Sequence, residues 1–171
     1  MKKQTYRFFA TVLFASLILF IVGCTEKTET KTQDENIQTI EAVLQKALNG
    51  PSDELKQALE GEGLEDLVQY EEDLYKDYFA DDMSYLDFVN NYSSTLMMEP
   101  MRKNYKIKVK NIEYEKSESK EIIYDFTVEL QYQKEGSESS EVEMVTGEAN
   151  MSNEHKIEVM VIRDFHKLFH N

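Results

Sequence analysis

From residue 34 onward, apolar positions recur with two periods, helical first and alternating afterwards. Ile37, Ile40, Leu44, Ala47 and Leu48 fall on one face of a helical repeat. Thr32-x-x-Glu35 has the spacing of a capping box, so order is expected to begin at Thr32 or Asp34. Gly50-Pro51 ends this helix. Leu55, Ala58 and Leu59 predict a short helix over 52–60, before Gly61 and Gly63 interrupt. Leu64, Leu67, Val68, Leu74, Tyr75, Tyr78 and Phe79 predict a longer amphipathic helix. Ser84-x-x-Asp87 reads as a second capping box, leading into Tyr85, Phe88, Val89 and Tyr92, and Pro100 bounds the helical half.

After Pro100 the period becomes two. Tyr105, Ile107 and Val109 alternate with Lys106, Lys108 and Lys110, then Ile112 and Tyr114 alternate with acids. The phase slips at Lys110-Asn111, which predicts a β-bulge. Ile122, Tyr124, Phe126, Val128, Leu130 and Tyr132 alternate with Asp125, Thr127, Glu129 and Gln131, the strongest strand signal in the chain. A turn over 135–140 leads to a third strand over 142–151, and a turn at Ser152-Asn153 to a fourth over 157–165. Helices segregated before an antiparallel meander make an α+β fold, with N-terminal helices packed on a C-terminal four-stranded antiparallel sheet. That element order is similar to the NTF2-like, or cystatin-like, cone, in which helices pack into the concavity of a bent sheet. The resemblance implies ligand or partner binding in many members and catalysis in some, so it decides no activity.

Upstream of residue 34 the pattern differs again. Lys2, Lys3 and Arg7 precede an uncharged run of 16 residues from Phe8 to Gly23, which stops at Cys24. A basic start, an apolar middle and small residues before a cut site are the parts of an export signal. The run is shorter than the roughly 20 residues of a spanning helix. Ile21-Val22-Gly23-Cys24 resembles the lipobox of bacterial lipoproteins. The resemblance implies cleavage between Gly23 and Cys24 and a diacylglyceryl group on the Cys24 sulfur. It also implies residence on the extracytoplasmic face of the cell membrane, in a Gram-positive-type envelope. Two acyl chains, at about 0.8 kcal/mol per buried CH₂, hold a protein stably where one does not. Residues 25–33 contain no apolar side chain and read as a spacer. The expected organisation is a signal peptide over 1–23, a lipidated Cys24 and tether over 24–33, and a single α+β domain over 34–171.

Charge narrows the functional classes. The chain carries 19 Lys+Arg against 33 Asp+Glu, a formal net charge of −14, and loss of Lys2, Lys3 and Arg7 with the leader takes it to −17. Such a field opposes phosphate contacts, so no nucleic-acid partner is expected. It also repels the domain from anionic lipid. The single Cys excludes an intramolecular disulfide and a Cys-cluster metal site.

Candidate chemistry is sparse. The sequence has no recognisable nucleophile motif and no Gly-rich phosphate loop, and the apolar face of the second strand carries no acid–base pair. A non-catalytic protein with no cofactor and no metal is expected. His166 and His170 stand four apart without the Glu of a zinc-protease motif. Glu71-Glu72-Asp73, Asp77 and Asp81-Asp82 read as a solvated helix face. Tyr75, Tyr78, Tyr85 and Tyr92 are candidates to line a ligand pocket at the mouth of the cone, with phenols as hydrogen-bonding handles. Val159-Met160-Val161-Ile162 is apolar on both faces of its strand. One face fills the core and the other is expected to be covered. Met160 and Ile162 are therefore interface candidates, toward a protein partner or a second copy of the chain.

Overall fold

The computed structural model describes residues 34–60 and 64–169. Helices α1 (Glu35–Leu48), α2 (Asp53–Glu60), α3 (Leu64–Tyr75), α4 (Asp82–Phe88) and α5 (Ser94–Lys103) come first. Strands β1 (Tyr105–Lys116), β2 (Ile122–Lys134), β3 (Glu141–Met151) and β4 (Ile157–Arg163) follow. The strands pair antiparallel in the order β1-β2-β3-β4, so the fold is α+β with its helices N-terminal to the sheet. Gly23, Cys24, the apolar run before them and the tether lie outside the described residues.

The sheet follows the alternation closely. Tyr124, Phe126, Val128, Leu130 and Tyr132 of β2 are buried, while Asp125 on the opposite face is exposed. The β1–β2 register slips between Val109 and Asn111, so Lys110 is the bulge residue. The helices cover the inward face. Ile40, Val43, Leu44 and Leu48 of α1 join Phe126, Val128, Leu130 and Val145 in one hydrophobic cluster. Each such side chain contributes about 1.5–3 kcal/mol by leaving water.

The helix ends depart from the expected caps. Asp34 caps α1, accepting from Asn36 N–H at 3.0 Å. Asp81, not Ser84, caps α4, accepting from Ser84 N–H at 2.8 Å. An aspartate at the N-cap position supplies the carboxylate that free N–H groups at a helix start require. The long helix expected to reach Phe79 ends at Tyr75 and gives way to a 3₁₀ turn over Lys76–Tyr78. Phe79 then pairs with Ile157 of β4, which takes the chain out of the helix. Pro100 lies inside α5 rather than at its boundary. Burial of Leu96, Met97 and Pro100 outweighs the one hydrogen bond that proline removes. The helix stops where Asn104 turns left-handed, at φ 56°, and its N–H closes on Met101 and Pro100 carbonyls.

Met160 and Ile162 are buried, so the expectation that they form an interface is corrected. The β3–β4 register slips between Asn150 and Met151, and this directs Met160 and Ile162 at the helices. Val159 and Val161 face outward instead. After Arg163 the chain turns at Asp164, with φ 65°, into a 3₁₀ turn over Phe165–Phe169 that buries Leu168. His166 is exposed, and His170 lies outside the described residues.

Candidate functional site

The aromatic residues proposed to line a pocket form a packed row instead. Tyr75 is fully buried and meets Phe88 edge-on with centroids 5.2 Å apart. Tyr85 is buried against Phe79 at 6.3 Å. Tyr92 bridges Phe88 and Phe165, each at 5.8 Å. Tyr78 is half-buried at the surface, with the Lys46 ammonium 5.5 Å above its ring. Aromatic pairs gain from such edge contacts, and this turns the rings toward one another rather than toward a cavity.

A buried polar knot lies beside this row, and it includes a residue expected to face solvent. Glu71 is only 6% exposed, and Ser93 is completely enclosed. Ser93 closes a π-helical turn over Val89–Ser93, between α4 and α5, whose wider pitch turns its hydroxyl inward. Burial pushes the Glu71 carboxyl above its ordinary range, against an opposing hydrogen bond with Ser93. The Ser93 hydroxyl lies 3.9 Å from Met97 Sδ. The Ser93 hydrogen bond favours the carboxylate and burial favours the neutral acid, and burial is the larger effect. Glu71 Oε1 has no hydrogen-bond partner among the described residues. Burial also raises the Tyr85 phenol, to about 12, with Glu71 and Glu72 adding to the effect.

An open cleft of about 280 Å³ lies among α1, α2, α3 and α5. Leu55, Leu74, Leu96 and Met97 make its apolar lining, and Ser52, Tyr70 and Gln45 its polar one. Ser52 caps the start of α2 by accepting from Leu55 N–H at 3.0 Å. Its hydroxyl also meets Tyr70 OH at 3.2 Å, tying α2 to α3.

The entry to α1 is clasped to the sheet. Tyr124 of β2 donates its phenol proton to Asp34 Oδ2. Burial works against ionisation of Asp34, but the Tyr124 hydroxyl, the Asn36 N–H and nearby Lys116 together hold its carboxyl below the ordinary range. Asn36 Nδ2 donates to Tyr124 OH at 3.4 Å, and Asn36 Oδ1 faces His155 Nδ1 at 3.0 Å. That nitrogen therefore carries a hydrogen. His155 Nε2 lies 3.1 Å from Glu35 Oε2, an ion pair whenever the ring is protonated. Thr39 Oγ1 donates to the His155 carbonyl at 2.9 Å.

The outward face of the sheet mixes three chemistries. Lys106, Lys108 and Lys110 line β1, and Glu113, Glu115 and Asp125 follow toward the other end. Val142 and Met144 of β3 are 58% and 44% exposed, and Val159 of β4 is 48% exposed.

No protein-family model matches the chain, and no curated protein matches it. Among solved structures it is similar to the solution structure of TraH, reported as a transfer protein of the Gram-positive conjugative plasmid pIP501. The identity is 14% and the TM-score 0.48, over 78% of this chain and 94% of that one.

Proposed function

We propose that the chain is a lipid-anchored protein of the extracytoplasmic face of a Gram-positive-type cell membrane, and that its domain binds another protein through the outward face of the sheet. The anchor reading rests on Ile21-Val22-Gly23-Cys24 at the end of a basic-then-apolar leader, with Cys24 the only Cys. The binding reading rests on one observation: Val142, Met144 and Val159 stand in water at strand positions facing away from the helices. A face with exposed Val and Met beside a lysine edge suits a partner with apolar and acidic side chains. The domain is of the NTF2-like kind in this reading, on its element order, and binds rather than catalyses. Glu71, Ser93 and Tyr75 are sealed among helices and do not line the cleft, which supports a structural part for them.

Two measurements test the two halves. Cys24→Ala is expected to abolish incorporation of labelled palmitate and to leave unprocessed precursor; normal labelling in that variant refutes the anchor. Crosslinking in intact membranes is expected to capture a partner that Val142→Lys and Val159→Lys both lose at unchanged melting temperature. Equal capture by wild type and both variants removes the sheet face from consideration.

A further inference from the structure

We propose that the cleft among α1, α2, α3 and α5 binds a small neutral molecule with an apolar body and one oxygen acceptor, of the aryl or alkyl ketone, ester or amide class. The site is separate from the sheet face assigned above to a protein partner, and each stands without the other. Its size sets the scale of the ligand. The cleft holds about 280 Å³, roughly nine waters at about 30 Å³ each, and so admits about ten non-hydrogen atoms. Leu55, Leu74, Leu96 and Met97 offer dispersion contacts to an apolar body and no hydrogen bonds to water.

Hydrogen-bond accounting shows what the lining can donate. Ser52 Oγ already accepts from Leu55 N–H, and it shares a single hydrogen bond with Tyr70 OH. Two hydroxyls bring two hydrogens, and the bond between them uses one, so one O–H is left to donate. Gln45 Oε1 accepts from Asn49 Nδ2 at 2.7 Å, which leaves the Gln45 –NH₂ as a second donor on the lining. Asn49 Oδ1 takes Val109 N–H at 2.8 Å. One O–H of the Ser52–Tyr70 pair and the Gln45 –NH₂ are therefore left to donate, and a carbonyl oxygen accepts from either. Charge points the same way. Lys46 and Glu54 line the rim with opposite signs, Glu54 is exposed to water, and Lys46 is engaged over Tyr78. A charged ligand would find no net attraction there.

Titration of the full chain in detergent with acetophenone, followed by backbone amide NMR, tests the proposal. Saturable shifts centred on Ser52, Tyr70 and Leu96 are expected. Ethylbenzene has the same ring and no acceptor, and is expected to bind about fivefold more weakly, the worth of one neutral hydrogen bond. Met97→Trp fills the cleft and is expected to weaken acetophenone about tenfold or more. Partition of the probe into micelles is common to both proteins and cancels in that comparison. Should Met97→Trp not fold, the pair Ser52→Ala and Tyr70→Phe keeps the cavity while removing both hydroxyls. It is expected to narrow or erase the preference for acetophenone. Absence of saturable shifts up to about 10 mM probe, saturation centred elsewhere, or equal affinity of wild type for the two probes overturns the proposal.

Discussion

Replacing Gly147 by alanine drives a methyl group into backbone. Gly147 lies along β3 between Phe126 of β2 and Ile162 of β4. An added Cβ would stand 2.1 Å from the carbonyl oxygen of Val161, and 2.3 and 2.6 Å from Cζ and Cε2 of Phe126. Ordinary contacts lie at about 3.5–4.0 Å, so each of these must open by about 1 Å or more. The Phe126 ring can yield part of that distance by a change of torsion. The Val161 carbonyl moves only with β4. Overpacking a core costs about 1–3 kcal/mol when side chains can adjust, and displacement of a strand belongs at or beyond the top of that range. The expected loss is about 3 kcal/mol or more, or a melting temperature lower by about 10 °C for a domain of this size. Urea titration and thermal melts followed by circular dichroism measure it. Phe126→Leu separates the two clashes. If the carbonyl dominates, Gly147→Ala costs nearly as much in the Phe126→Leu background as in wild type. A Gly147→Ala protein melting within about 3 °C of the parent, under 1 kcal/mol, would refute the geometry at this crossing.

Three further substitutions probe other parts of the molecule. Glu71→Gln removes a carboxyl whose folded pKa is raised; that group's stabilisation is full below the ordinary glutamate range and is lost as pH rises through the folded value. The variant is therefore expected to gain about 1–2 kcal/mol over wild type at neutral pH, with the gain vanishing in acid, and a pH-independent difference in urea midpoints would refute the assignment. Tyr124→Phe opens the clasp on Asp34, whose carboxyl is held low and so stabilises above the ordinary aspartate range and loses that effect in acid. The expected cost is about 1 kcal/mol at neutral pH, shrinking in acid, with faster amide exchange at the start of α1 as the second readout. Asn104 holds a left-handed helix end at φ 56°, so Asn104→Gly is expected to be neutral or stabilising and Asn104→Val to cost about 1–2 kcal/mol; equal melting temperatures for the two would count against the cap.

Legibility in the sequence follows how many physical constraints act on each residue. The alternation of β2 is clear because one of its faces is greasy and the other charged, and a shift by one residue would invert every side chain. The bulge at Lys110 shows as a phase slip for the same reason. Strand β4 has apolar residues on both faces, so parity carries no sign, and the register slip at Asn150/Met151 decides that Met160 and Ile162 turn inward. Glu71 is harder to see beside Glu72 and Asp73. Its spacing from Leu67 and Tyr75, four residues each way, places it on the same stripe of α3, and that spacing was the available signal. Leu64 and Val68 are apolar yet exposed, which reverses the simple assignment along that helix. Of the four tyrosines proposed for a pocket, Tyr75 and Tyr92 meet Phe88 and Tyr85 meets Phe79, and only Phe88–Tyr92 is a pair at helical spacing, so the packing of the others is tertiary. The cleft joins residues of four helices and a connecting turn, so only tertiary structure brings Ser52 to Tyr70.

The clasp at Asp34 fixes which end of the sheet lies beside the start of α1. Asp34 meets Tyr124, which pairs with Lys116 at the last position of β1. His155, in the β3–β4 turn, meets Asn36 and Glu35 at the same end. Lys106 lies ten residues back along β1, roughly 33 Å at about 3.3 Å per residue. Lys108 shares its row of the sheet with Gln131 and Val142. The end of the sheet beside Asp34 thus carries Val159, Glu115 and Asp125, and the lysine edge, Val142 and Met144 lie at the other end.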